Sequence, residues 1–126
     1  MVEFATYQTC RRIDRATGIS SVALTPEPLE NQCYIMGTTS FPPGTGLALH
    51  CHNTVEQVTL LTGIAMAEID GRRHDAEPFD TTQVPAGVFH RWVNTGASPM
   101  TILWVYGAIH VTRTYFDTGV TVDQFS

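Results

Sequence analysis

The chain reads as an all-β protein, and three observations lead to that class. Short apolar runs rich in Val, Ile, Thr and aromatic residues recur between clusters of turn residues. Their spacing is close and regular from about residue 33 to residue 110. A helical start is plausible only over residues 3–16. Short strands at this spacing predict a sandwich or a small barrel.

The elements follow in order. Residues 33–40 (CYIMGTTS) form a strand that closes at the Phe41-Pro42-Pro43-Gly44 turn. Residues 46–52 form a second strand and 55–62 a third, with Asn53-Thr54 turning between them; the third is expected to pair with the second. Asp70-Gly71 marks a hairpin between strands at roughly 64–69 and 72–76. Residues 81–84 form a strand ending at Pro85, and 88–93 form another that turns at Asn94-Thr95-Gly96. The longest apolar strand is 100–110 (MTILWVYGAIH). Beyond it, Val, Thr and aromatic residues alternate without a clear core period. Residues 111–126 are expected as a strand or arm that packs on the barrel or reaches across a homodimer, since a free end exposing Tyr115 and Phe116 would be costly.

A length of 126 residues fits one domain spanning 1–126, with its barrel at about 33–110 and an N-terminal arm over 1–30. At 43% hydrophobic and 15% charged, the chain can bury a core and does not read as disordered. A net charge of −5 argues against nucleic-acid or anionic-membrane partners, which need clustered basic residues. No apolar stretch is long enough to span a bilayer. The first residues, MVEFATYQTCRRIDRATG, mix charges without an apolar stretch and do not read as a secretory signal. Cys10, Cys33 and Cys51 form an odd set without CxxC spacing, as expected for reduced thiols in the cytoplasm.

Two runs carry the chemistry. GTGLALHCHNTVEQVTLLTG, from Gly44 to Gly63, places His50, His52 and Glu56 in H-x-H-x3-E. PAGVFHRWVN, from Pro85 to Asn94, adds His90. On a strand, residues i and i+2 share a face, so His50 and His52 point one way and Cys51 the other. Three imidazoles and a carboxylate can converge on one divalent ion; this donor set suits Fe, Mn, Zn or Ni and leaves coordination positions open for substrate. A closed structural zinc site would more often use cysteines.

Both runs resemble the two motifs of the cupin superfamily. The first, G-x5-H-x-H-x3-4-E-x6-G, is met by Gly44, His50, His52, Glu56 and Gly63; the second, G-x5-P-x-G-x2-H-x3-N, is met by Pro85, Gly87, His90 and Asn94. Phe79 stands where the second motif opens with glycine, although Phe resists positive φ. The resemblance implies a double-stranded β-helix, or jelly-roll barrel, with His50, His52, Glu56 and His90 as metal ligands. It leaves the reaction open, because cupins include dioxygenases, decarboxylases, isomerases, lyases, cyclases and non-catalytic binding modules.

Further residues are placed by parity. Trp92 shares the face of His90, while Val58 and Leu60 share that of Glu56; all three are pocket candidates, as are Tyr34 and Met36. Gln57 and Arg91 alternate away, and His74 is expected in solvent. Strand 100–110 offers one face with Ile102, Trp104, Tyr106 and His110 and another with Leu103, Val105 and Ile109; either can line the pocket. Tyr106 and His110 are candidate acids or bases. No Arg or Lys falls on the metal-facing parity, which counts against phosphorylated or strongly anionic substrates. The expected function is a cytoplasmic, metal-dependent enzyme that chelates a small organic substrate. It would be a dioxygenase with a redox-active ion. The alternatives are a non-redox isomerase, lyase or cyclase, or a binding module without turnover.

Overall fold

The computed structural model describes residues 4–125. Among the described residues, twelve strands build two antiparallel sheets. They are β1 (Arg12–Asp14), β2 (Ser20–Ala23), β3 (Ile35–Phe41), β4 (His50–His52), β5 (Glu56–Thr62), β6 (Ala65–Ile69), β7 (Arg72–Ala76), β8 (Thr81–Val84), β9 (His90–Asn94), β10 (Met100–Tyr106), β11 (Thr112–Tyr115) and β12 (Thr121–Asp123). One sheet runs β1-β2-β3-β10-β5-β8, the other β12-β11-β4-β9-β6-β7. Their inner faces pack on each other as a jelly roll. No described helix is long and apolar enough to cross a membrane.

Several expectations about single elements are corrected. Of the stretch expected to start a helix, residue 3 lies outside the described residues. The rest holds a turn at Thr6–Cys10 and strand β1; the helical element among the described residues is the 3-10 turn Ala16–Gly18. Strand β5 does not pair with β4. It lies in the opposite sheet, between β10 and β8, so Asn53-Thr54-Val55 arches from one sheet to the other instead of closing a hairpin. The strand expected at 46–52 is regular only at His50–His52, with one bridge from Gly46 to Val93. The strand expected at 100–110 ends at Tyr106. The C-terminal stretch joins its own sheet: β11 pairs with β4, and β12 with β11.

The core forms where alternation turns side chains inward. Strand β10 is buried at Met100, Ile102, Trp104 and Tyr106 and only partly buried between them, which settles the face left open by sequence. Its inward residues sit opposite Phe41, Thr39, Gly37 and Ile35 of β3. Gly37 is required there, because an added Cβ would run into the Trp104 ring and the Val22 carbonyl. The Trp104 indole N–H donates to Thr39 Oγ1 at 2.9 Å, and Thr39 in turn bonds Ser21 Oγ at 2.8 Å, so the buried polar groups are satisfied. Burying a side chain such as Phe41 or Leu60 contributes roughly 1.5–3 kcal/mol.

Phe79 adopts the conformation that a glycine would have supplied. Its φ is 76°, in the left-handed region, and its side chain is exposed. The turn is held by Phe79 N–H to Leu60 O at 2.6 Å and by Glu77 N–H to Asp80 Oδ2 at 2.9 Å. A residue with a Cβ is strained there by roughly 1–2 kcal/mol.

Candidate metal centre

Each histidine is placed by a strand and locked by a carbonyl. His50 opens β4 and His90 opens β9, and the two face each other in register. The irregular residues before each strand turn a carbonyl back onto the ring. Thus His50 Nδ1 lies 2.6 Å from Ala48 O, and His90 Nδ1 lies 2.9 Å from Val88 O. His52 Nδ1 lies 3.0 Å from Thr112 O on the adjoining strand. A carbonyl only accepts, so each Nδ1 carries the proton and each Nε2 is left for the centre of the site.

The three rings are buried and close, with centroids 4.6–5.1 Å apart. One ligand atom from each can be chosen so that all lie within 4.8 Å of one another, and the trio could hold a metal ion. Nitrogens bound to one ion are separated by about 3–4 Å, a spread reached by small side-chain shifts. Together with the locked Nδ1 atoms, this donor set fits a divalent metal.

Glu56 approaches from the opposite sheet. Its Oε1 lies 2.8 Å from His90 Nε2 and 3.5 Å from His52 Nε2. Burial alone would raise the carboxyl pKa. The hydrogen bonds and charges of His52 and His90 outweigh it and hold Glu56 well below the usual carboxylate range. For His90, burial lowers the pKa, but the hydrogen bond and charge of Glu56, with the bond to Val88 O, together outweigh it and raise it. His50 is driven down to about 3, chiefly by burial and then by the neighbouring His90 and His52. Tyr106 stands opposite Glu56 on β10, with its ring 4.8 Å from that of His52 and its hydroxyl 3.4 Å from His52 Nε2. Burial and the Glu56 charge raise its pKa well above the ordinary tyrosine value.

The other candidates divide. Trp92, Val58 and Tyr106 line a cavity of about 30 Å3 beside His50, Glu56 and His90. Leu60 is fully buried in the core and does not line it. Tyr34 is half exposed outside the cavity. Met36 faces away, opposite Val105, and lines a separate surface groove with His110, which is exposed beyond the end of β10. The parity of β3 is therefore the reverse of that assumed for Tyr34 and Met36; Thr39 and Phe41 face the cavity instead. Arg91 turns away and pairs with Glu68 at 2.9 Å.

Sequence reasoning missed two arginines. Arg113 sits opposite His52, and Tyr115 opposite His50, so both share the inward parity. Alternation of Val111, Arg113 and Tyr115 was the available signal. Arg15 lies just before the 3-10 turn joining β1 and β2, where no periodicity applies. Its N–H bonds Ile19 O at 2.7 Å. Both arginines line a cavity of about 360 Å3 that includes His50, and Arg15 also lines the small inner cavity. The expectation that no Arg or Lys falls on the metal-facing parity is thereby corrected at Arg113.

Asn94 explains the end of the second motif. It is almost fully buried; its Nδ2 donates to Phe41 O at 3.0 Å and Ser98 O at 2.8 Å, and its Oδ1 accepts from Gly96 N–H at 2.9 Å. It is an architectural residue that ties the end of β3 to the β9–β10 turn.

The cupin domain family matches residues 37–106, more than half of the chain, and the chain belongs to that family. No curated protein matches it significantly in sequence. Among solved structures, it is similar to a sugar phosphate isomerase of the cupin superfamily from Silicibacter pomeroyi, with a TM-score of 0.77 at 22% identity over 98% of this chain and 88% of the other. A predicted oxalate decarboxylase from Thermotoga maritima gives 0.73 at 19% identity, over 85% and 100%. An RmlC-like cupin from Shewanella frigidimarina gives 0.72 at 17% identity, over 86% and 92%. At these identities the likeness establishes the fold.

Proposed function

We propose that the chain is a metal-dependent cupin enzyme that carries out non-redox proton-transfer chemistry, of the isomerase or lyase kind, on a small oxygen-bearing substrate. The observation that carries this reading is the convergence of three histidines, each with Nδ1 tied to a carbonyl. His50, His52, His90 and Glu56 would hold one divalent ion, which supplies Lewis-acid polarisation of a substrate oxygen. Fe, Mn, Zn and Ni all suit the donor set.

The remaining work falls to the chain's own side chains. Tyr106 is buried, which disfavours the phenolate and holds the proton on its hydroxyl. It is the proton carrier of the proposal: its hydroxyl gives a proton to the substrate atom turned towards it, and the phenolate so formed takes back the proton that a neighbouring substrate carbon releases, so an isomerisation leaves Tyr106 as it began. Trp92, Val58 and Ile102 wall the inner cavity with apolar surface and exclude bulk water. That cavity has room for about one water-sized group, so only the reacting end of a substrate enters it. The body of the molecule would occupy the adjoining space that includes His50. The isomerase and decarboxylase named among the structural relatives agree with this class of chemistry without assigning it.

Elemental analysis of untagged protein, followed by turnover assays on hydroxy-carbonyl compounds and keto acids, tests the proposal. About one ion per chain with isomerisation or decarboxylation is expected, and Tyr106→Phe should lower kcat at least about tenfold while metal content holds. Substrate-dependent oxygen uptake would overturn the non-redox choice in favour of a dioxygenase. Stoichiometric metal without turnover on the panel would favour a binding module.

A further inference from the structure

Two guanidinium groups converge on one backbone oxygen at the mouth of the barrel. Arg15 Nη2 donates to Gln124 O at 2.7 Å, and Arg113 Nη1 donates to the same oxygen at 2.8 Å. Arg113 Nε also donates to Tyr115 Oη at 2.7 Å. Both arginines are half-buried, and Gln124 is buried.

Bringing two cations together in a partly desolvated place is unfavourable, and the acceptors bonded to them, the Gln124 and Asp123 carbonyls, the Gln124 side-chain oxygen and the Tyr115 hydroxyl, are neutral and offset little of it. The cost registers on Arg15: burial and then the charge of Arg113 lower its pKa. A guanidinium presents a planar fork of donors, so two of them facing one cavity suit an oxyanion, which accepts several charge-assisted bonds at once. The cavity they line, about 360 Å3, lies in the size range of small-molecule sites and extends to His50.

We propose that Arg15 and Arg113 form an oxyanion-binding subsite that selects a small organic anion, whose carboxylate or phosphate lies between them while its other end reaches the histidine cluster. The second half of this statement rests on the function proposed above; the subsite itself does not. The arginines arrive by different routes, Arg15 from the β1–β2 turn and Arg113 from β11, so the subsite exists only when both flanking segments are docked.

The test uses the full chain as purified, with and without EDTA, at ionic strength held constant with sodium chloride. Inorganic phosphate and malonate are titrated separately while arginine Nε–H resonances and the melting temperature are followed. Saturable binding of at least one anion is expected with and without EDTA, and which one binds more tightly separates phosphate from carboxylate substrates. Arg15→Gln and Arg113→Gln should each weaken it at least about tenfold, and Arg113→Lys should weaken it less, because charge remains and the fork is lost. Arg72→Gln, on exposed β7, should bind as the wild type does. Circular dichroism identifies any variant that fails to fold. No saturable response to either anion, or equal responses in wild type and folded arginine variants, would overturn the subsite. Because binding is also read after EDTA treatment, its failure is distinct from a failure to find metal.

Discussion

Glu56 and His90 meet across the interior: Oε1 of one lies 2.8 Å from Nε2 of the other, although their strands belong to opposite sheets. Since His90 Nδ1 also donates to Val88 O, this contact is an imidazolium–carboxylate pair in which the Nε2 proton stands where a metal would bind. The pair thus joins the two layers before any ion arrives. Glu56→Gln removes the charge and keeps the shape. The metal-free protein should lose about 2–4 kcal/mol in denaturant titrations, and retained metal should fall with it.

His52→Ala should lower retained metal at least about tenfold, since removing even an outer-shell partner commonly costs 10–100-fold. Elemental analysis reads the loss, and melting temperature should fall because bound metal stabilises the folded state. Cys51→Ser is the matched control. Its side chain alternates away from the two histidines, so metal content should stay at the wild-type level.

The metal-free protein should be most stable near neutral pH. His50 has its pKa lowered from 6.5 to about 3, so between these values the unfolded chain binds a proton that the folded chain does not, and stability falls as pH falls. Glu56, also lowered, adds to that loss below about pH 4.5. His90 is raised, so its contribution is fully present below pH 6.5 and is lost as pH rises through its folded value. Melting curves from pH 4 to 9 should therefore fall on both sides, by on the order of 5–10 °C on the acid limb. Saturating metal should flatten the alkaline limb, because its ligands are already deprotonated. An apo melting temperature that rises steadily towards pH 4 would contradict this assignment.

Phe79→Gly should stabilise the protein. Glycine relieves the strain at φ 76° but adds freedom to the unfolded chain, leaving a net gain of about 0.5–1 kcal/mol. Because the side chain is exposed, no packing is lost. Denaturant melts should shift upward without a change in slope.

Asn94→Ala should act in the opposite direction. Three hydrogen bonds disappear and the buried carbonyl of Phe41 loses its side-chain donor, so a cost of about 2–4 kcal/mol is expected. If Asn94 is architectural alone, residual folded protein should still bind metal with wild-type stoichiometry.

The candidate ligand positions were legible because a strand has a period of two: His50, His52 and His90 fall where alternation puts them, and so does Trp92. Strand β3 misled for a physical reason. Its inward face carries Gly37 and Thr39 because Trp104 fills the space above them, so Met36 lies on the outward face, and Tyr34 precedes the strand and is exposed. Pairing of β5 was also illegible, since a short arch between sheets and a hairpin turn can share the same few residues. Arg113 could have been found from the alternation of Val111 and Tyr115, but Arg15 depends on the conformation of a turn that no period encodes.

The region that matches the cupin family, residues 37–106, contains all four candidate ligands and Tyr106; Arg15, Arg113 and Gln124 lie outside it on either side. The candidate metal centre and the proposed anion subsite are thus written in separable stretches of the chain. On that proposal, barrels of this type could exchange their flanks and inherit a new clientele while the histidine cluster at the hub stays unchanged. A chimera that exchanges only residues 4–23 and 108–125 between two such barrels would move preference without moving the metal.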